Sequence, residues 1–375
     1  MNSSKKLIYI ANLRLPTEKA YGIQIAKMCE AFALEVELIA PYRKNKIKDN
    51  FFDYYFVKRN FKFRKIWAPD FYLPGKLDKV AVNIKGLVSA LFLSFYVITQ
   101  KVDVIYSRDE WPLYFLSFFR KNLVFEAHHF SKSRKLFYGR FKKIGIKVIV
   151  ISNGLKKDFI SFGFPEDKLL LAPDGVDLAE FNIDISKEEA RVRMGLPLDR
   201  KMVVYTGHLF EWKGAGVLLE AARQCGDVLF VFVGGTEYNV EKFRQKAKDM
   251  DLKNVLILGH KPHKDIPFFL KAADILVLPN SAKEEISRSY TSPLKLFEYM
   301  VSGRPIISSN LPSIGEILNE NNSLFVEPDN DQQLTEAIKK VINDPAISNQ
   351  LTQKAFEDVK NYTWVNRALK ILNFI

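Results

Sequence analysis

Short runs of apolar residues recur along the chain, each separated from the next by a helically spaced stretch or a polar loop. In the first half these runs are LIYIANL at 7–13, VELIAP at 36–41, VDVIYS at 102–107, NLVFEAH at 122–128, KVIVIS at 147–152 and LLLAP at 169–173. The rhythm resumes with MVVYTG at 202–207, DVLFVFVGG at 227–235, NVLILG at 254–259, DILVLPN at 274–280, PIISS at 305–309 and SLFVEP at 323–328. The runs are continuous instead of alternating, which is the mark of parallel strands covered by helices on both faces. The pattern predicts an α/β protein built of two Rossmann-like, doubly wound domains in tandem, with a cleft between the carboxyl ends of their sheets.

The turn-rich segment 173–200 interrupts the rhythm and reads as the junction, giving a first domain over 1–180 and a second over 181–360. Residues 361–375, NYTWVNRALKILNFI, predict an amphipathic helix that offers Trp364, Leu369, Ile371 and Leu372 for burial. Two stretches depart from the pattern. In 42–66 cations interleave with aromatic residues without a clean period, which suits a membrane interface, single-stranded nucleic acid, or a surface insertion whose rings pack on their own domain. GLVSALFLSFYVI at 86–98 is shorter than the ~20 residues of a spanning helix and reads as buried or interfacial.

With 375 residues, 47% of them hydrophobic, the chain can form two full cores. Its two cysteines, Cys29 and Cys225, form no CxxC, so neither a disulfide framework nor a structural zinc site is expected. MNSSKK runs directly into the first strand without a signal-peptide pattern, and a cytoplasmic protein is expected. The net charge of +13 lies entirely in residues 1–180, where 31 Lys and Arg face 18 Asp and Glu; residues 181–375 hold 25 of each. Such asymmetry favours an anionic partner for the first domain.

Absent motifs narrow the chemistry. There is no GxGxxG after the first strand, and no GxxxxGK[ST], HExxH or GxSxG, which disfavours the common dehydrogenases, NTPases, zinc proteases and serine hydrolases. Asp249-Met250-Asp251 imitates a metal-binding DxD, but it closes a charged helix and reads as a solvated helix end. The remaining candidates sit at strand ends. VVYTGHLFEWKG places Gly207, His208 and Lys213 between a strand and a helix, where backbone N–H groups and an ammonium can converge on phosphate. YTSPLKLFEY starts another helix, with Lys295 in its first turn and Glu298 one turn later, where a carboxylate can accept hydrogen bonds from ribose hydroxyls. Arg14, Lys19 and Arg108 follow strands of the first domain.

These blocks, with KVIVISNGLKKDFISFGFPEDKLLLAPDGVD, NVLILGHKPHKDIPFFLKAADILVLPNS and SPLKLFEYMVSGRPIISS, resemble retaining glycosyltransferase family 4, whose architecture is GT-B. The resemblance implies a hexosyl-type transferase using a UDP- or GDP-sugar, with no metal ion, on a glycan or lipid-linked acceptor. It implies that Glu298 holds the donor ribose and Lys213 meets the diphosphate. Gly22, taken as a loop residue after the first strand, would permit close approach of the backbone. His128, in preference to His129, would lie by the donor sugar. Main-chain groups at Lys261 and Pro262 would flank the base. Gly207, His208, Tyr290, Thr291, Ser292, Leu294 and Lys295 complete the implied donor site. Tyr290 stands where the family usually has its first glutamate, a role that Glu284, Glu285, Thr291 or Ser292 can assume. His208 stands where an arginine usually accompanies the lysine. The family's front-face mechanism needs no enzymic nucleophile. The resemblance further implies that the C-terminal helix returns to the first domain and that the protein acts at the inner face of the membrane. Two other classes compete: a nucleotide-sugar 2-epimerase of the same architecture, and a non-catalytic nucleic-acid or membrane binder using 42–66.

Overall fold

The strand Lys6–Ile10 (β1) has Leu7, Ile8, Tyr9 and Ile10 wholly buried, as a strand flanked by helices on both faces requires. The computed structural model describes residues 5–71 and 78–375; residues 1–4 of the MNSSKK leader reading lie outside them. Among the described residues, β1 joins Glu35–Pro41 (β2), Lys62–Ile66 (β3), Val104–Ser107 (β4), Leu123–Ala127 (β5), Lys147–Val150 (β6) and Leu169–Leu171 (β7) in one parallel sheet ordered β3-β2-β1-β4-β5-β6-β7. A second parallel sheet holds Lys201–Thr206 (β8), Val228–Val233 (β9), Val255–Gly259 (β10), Ile275–Leu278 (β11), Ile306–Ser309 (β12) and Leu324–Val326 (β13), ordered β10-β9-β8-β11-β12-β13. Both sheets are doubly wound. Their strand order reverses between β1 and β4 and between β8 and β11, the topological switch points beyond whose carboxyl ends open α/β sheets bind ligands.

The chain forms two compact units: Met1–Ile151 with Leu155–Pro173 and Trp364–Ile375, and Ser152–Gly154 with Asp174–Thr363. The division falls at Pro173/Asp174, not at 180/181. Phe181 is buried in the second unit's core, and Glu180 pairs with His263 at 3.0 Å, so these residues are integral to that unit. The last helix is Trp364–Phe374, beginning three residues after the expected 361. It packs on helix Ala20–Ala31 of the first unit, and the Phe374 carbonyl accepts a 2.6 Å hydrogen bond from Lys147 Nζ. Trp364, Ala368 and Ile371 are buried, but Leu369 is exposed and Arg367 is buried. The inward face of this helix therefore carries a charge that hydrophobic spacing alone does not anticipate.

Three other expectations resolve on packing. In 42–66, Phe51, Tyr55 and Phe61 are buried, Phe51 stacks on Phe63 at 4.2 Å, and Arg59, Lys62 and Arg64 pair with Asp53, Glu35 and Glu37. This is an insertion packed on its own domain. The apolar run at 86–98 belongs to a helix that already begins at Asp78 and spans 21 residues, so its length does not exclude crossing a bilayer; its inner face, with Ala81, Lys85, Ser89, Leu93 and Val97, is buried in the first unit. Asp249 ends helix Glu237–Asp249, and Asp251 pairs with exposed Lys253, the solvated helix end expected for this DxD.

Candidate donor site in the second unit

The carboxyl ends of β8, β9 and β11 are drawn together by glycine. Gly207 has φ +128° and donates its N–H to the Val233 carbonyl at 2.8 Å. Gly234, with φ +121°, lies so close that an added Cβ would overlap the Gly207 carbonyl. Neither backbone conformation suits an L side chain. Gly214, with φ +72°, similarly abuts Pro279 just beyond β11, which brings Lys213 to the switch point.

Helix Leu294–Val301 begins beside these ends, with Pro293 at its N-cap. Tyr299, one turn further on, fixes the helix to β8 by accepting the Thr206 N–H at 2.8 Å. Lys295 and Glu298, three residues apart, share a face. Lys295 is buried, and among the described residues its Nζ makes no hydrogen bond; the Tyr205 ring 3.9 Å away and the charge of Glu298 compensate in part. Burial, and then the charge of Lys213, hold its pKa well below the ordinary lysine value. Lys213 lies over Trp212 at 3.9 Å and is pushed down to about 8 by burial. Two desolvated amines that repel each other are a pair whose protonated forms a bound anion would favour. Nearby Asn280, fully buried, has both carboxamide atoms without a partner among the described residues.

Glu298 is fixed from the other side. His263 Nε2 lies 3.3 Å from Glu298 Oε1, and its Nδ1 lies 3.0 Å from Glu180 Oε1. Burial by itself would lower the His263 pKa, but hydrogen bonds to Glu180 and Glu298 raise it to about 9. An imidazolium clamped between two carboxylates sets the Glu298 rotamer and leaves its outer oxygen for a ligand hydroxyl. His263, Glu180 and Asn280 were absent from the sequence-based candidates, because each acts only through tertiary contact.

The other expected residues take varied places. His208 stacks on Phe210 at 4.9 Å, and its carbonyl accepts from Tyr205 at 2.6 Å. Lys261 and exposed Pro262 precede the short turn His263–Asp265. Tyr290 ends a π-helical turn, Ile286–Tyr290, ahead of buried Thr291. Ser292 Oγ accepts the Asp174 N–H at 2.9 Å, and Leu294 opens the helix. Glu284 and Glu285 are exposed at the start of the π turn.

In the first unit His128 follows β5, and its Nε2 lies 2.6 Å from Glu126 Oε1. Glu126 is fully buried and also accepts from Gln24 at 2.7 Å, from Arg367 at 2.9 Å and from Tyr106. Burial opposes its charge, but Arg367 and His128 hold its carboxyl well below the usual range. Burial, followed by Arg108, pushes His128 down to about 3. A carboxylate can only accept, so the proton of this neutral imidazole sits on Nε2 and Nδ1 offers a lone pair. Arg108 reaches Gln24 at 2.8 Å, whereas His129 is exposed, 3.6 Å from Glu110. Arg14 pairs with Glu18, and Lys19 lies over Tyr21. Gly22 is not in a loop; it lies in the first turn of helix Ala20–Ala31, where a Cβ would overlap the Tyr55 hydroxyl. That hydroxyl exchanges hydrogen bonds with Thr17 N–H and C=O at 2.6 and 3.0 Å. Gly22 thus makes room for a neighbour of the loop after β1.

Residues 186–358 match the family model described as Glycosyl transferases group 1. The match makes this segment similar to the group 1 glycosyltransferases. The matched segment contains β8 to β13 with Lys213, His263, Lys295 and Glu298. The chain is 26% identical over 234 residues to the putative teichuronic acid biosynthesis glycosyltransferase TuaC of Bacillus subtilis, covering 62% of this chain and 56% of that protein. It is 29% identical over 214 residues to the UDP-Gal:alpha-D-GlcNAc-diphosphoundecaprenol alpha-1,3-galactosyltransferase of Escherichia coli, covering 54% and 53%. The chain thus spans little more than half the length of these curated relatives. Anabaena HepE, solved with UDP and glucose, superposes with a TM-score of 0.77 over 98% of both chains at 17% identity. The likeness establishes the shared fold, two Rossmann-like domains of GT-B type, with the matched segment in the second.

Proposed function

We propose that the chain is a retaining glycosyltransferase that moves a sugar from a uridine or guanosine diphosphate sugar to a lipid-linked or polysaccharide acceptor, without a metal ion. The observation that carries this reading is the buried Lys295 amine, whose Nζ makes no hydrogen bond among the described residues, beside Lys213 at a helix start and in register with Glu298 clamped by His263. Lys213, Lys295 and the free N–H groups of helix Leu294–Val301 would receive the diphosphate, and Glu298 a ribose hydroxyl. As the bond from the sugar carbon to phosphate oxygen breaks, the two ammonium groups stabilise the departing charge. The acceptor oxygen joins the sugar carbon on the same face, and its proton passes to the departing phosphate oxygen. The relatives named for teichuronic acid biosynthesis and for a diphosphoundecaprenol-linked substrate support a polysaccharide or lipid-linked acceptor.

A thermal-shift panel of nucleotides and nucleotide sugars tests the reading. A ligand at 100 times its Kd stabilises the native state by about 2.7 kcal/mol, so at least one uridine or guanosine compound is expected to raise the wild-type melting temperature. Glu298→Gln is expected to melt near wild type alone yet lose most of that shift. Silence of the wild type across the panel would refute the assignment. The pH dependence provides a second check. Because the Lys213 pKa is lowered to about 8, its charge is lost as pH rises through that value, and affinity for UDP-glucose is expected to fall between pH 7.5 and 9.5. A flat profile by calorimetry would remove Lys213 from the diphosphate.

A further inference from the structure

Helix Asp78–Ile98 is apolar on both sides, with Ala81, Ala90, Leu93 and Val97 buried and a second apolar set facing solvent. Its inward side carries Lys85, Ser89 and Ser94, all buried, with Ser89 Oγ bonded to Asn12 at 2.7 Å and Lys85 Nζ 3.6 Å from Asp70. Its solvent side carries Val80, Ile84, Leu91 and Phe95, spaced at 4, 7 and 4 residues along one stripe, and Phe95 is 72% exposed. An exposed helix face is ordinarily polar, and a contiguous apolar one marks an interaction surface.

The stripe continues into neighbouring elements. Exposed Trp67 packs edge-on against Phe92 at 5.3 Å. Arg120 donates to the carbonyls of Ile98 and Gln100 at the helix end, both at 2.8 Å, and so fixes the preceding Phe118 and Phe119, which are exposed. Arg140 binds Ser117 Oγ at 3.0 Å and lies over the Phe118 ring at 4.3 Å, joining helix Lys135–Ile144 to the same region. Residues 118–147 contain nine Lys and Arg against a single carboxylate, Glu126, and that carboxylate is fully buried. Lys121, Lys132, Lys135, Lys142 and Lys143 are exposed, as is Leu136.

We infer that this face docks on an anionic lipid bilayer, with the helix lying in the interface. The apolar stripe and the aromatic rings enter the headgroup and acyl boundary, and the lysines beside them meet lipid phosphate. Charge complementarity selects this occupant. A second copy would bring the same unneutralised cations together, whereas an anionic leaflet neutralises them. The helix lies along the surface without crossing it, because its inner side is fastened into the first unit. The docking face is therefore this helix with 118–147, not the insertion 42–66, whose rings are packed. The inference does not depend on the proposed chemistry.

Sedimentation with vesicles tests it, using full-length protein, phosphatidylcholine alone, and phosphatidylcholine with about one third phosphatidylglycerol. Wild type is expected to bind the anionic vesicles at least tenfold more strongly, and to be weakened as salt rises, because exposed charges are screened. Phe95→Asp with Phe119→Asp is expected to reduce binding at least tenfold at constant charge screening, and Lys142→Glu with Lys143→Glu to abolish the preference for anionic lipid. All four positions are exposed, so melting temperature and nucleotide-induced shifts should be retained. Equal binding to both vesicles, binding unaffected by either double variant, or a wild-type dimer in light scattering that the Phe95→Asp, Phe119→Asp protein dissolves would overturn the inference.

Discussion

Arg367→Met is expected to destabilise the first unit by about 3–5 kcal/mol, the usual cost of leaving a buried ion without its partner. Arg367 Nη2 lies 2.9 Å from Glu126 Oε1, with both side chains almost wholly out of solvent. Without the guanidinium, Gln24, Tyr106 and His128 still donate to Glu126, but the full positive charge left beside it is then Arg108, whose effect is smaller than that of Arg367. The double variant Glu126→Gln, Arg367→Met removes both charges and is expected to recover most of the loss, a coupling that a double-mutant cycle measures directly. Proton linkage gives an independent signature. The Glu126 pKa is depressed in the folded state, so its contribution is present above the ordinary glutamate pKa and is lost as pH falls towards the folded value. Wild type should therefore be more acid-sensitive than the double variant. Arg367 also helps, after burial and Arg108, to lower the His128 pKa, so the imidazole should titrate higher in Arg367→Met, as read by NMR. A single variant within 1 kcal/mol of wild type in denaturant, with His128 unmoved, would show that the C-terminal helix does not hold this network.

What the sequence disclosed and what it concealed follow from the range of the interactions. Strands such as Leu7–Ile10 or Val228–Val233 announce themselves because a parallel strand covered on both faces needs an unbroken apolar run. Lys213 and Glu298 were legible because strand ends and helix starts are written locally. His263 was not. Its role comes from two carboxylates, one 35 residues away along the chain and the other in the segment assigned to the preceding domain. Gly22 was found for the wrong reason, since the space it leaves is filled by Tyr55 from the insertion. Arg367 was hidden in an apparently hydrophobic helix face, and the outer stripe of helix Asp78–Ile98 was hidden in a run that is apolar on both sides. Hydrophobic spacing shows that a helix has an apolar side, but not which side the rest of the chain covers.

Lys295→Met is expected to move stability and binding in opposite directions. In the free protein Nζ is buried without a hydrogen bond among the described residues, and the Tyr205 ring at 3.9 Å offsets only part of its lost hydration. A methionine of similar length removes that cost and is expected to stabilise the ligand-free protein by about 1–3 kcal/mol. The sign of the pH dependence agrees. A lysine pKa lowered by folding penalises the folded state while the unfolded chain is protonated, and the penalty fades as pH rises towards the unfolded value near 10.4. The variant's stability should be correspondingly flatter between pH 7 and 10. With a nucleotide sugar the order reverses. A charge-assisted hydrogen bond to phosphate contributes about 1.5–3 kcal/mol, so the variant should bind UDP or GDP compounds roughly 10- to 150-fold more weakly. Lys295→Arg cannot relieve its burial by losing a proton and should be less stable than wild type when free. Thermal melts with and without nucleotide read both effects in one experiment. If Lys295→Met were destabilised when free and bound nucleotide normally, Lys295 would be a packing residue and the anion site would have to be sought elsewhere on the second unit.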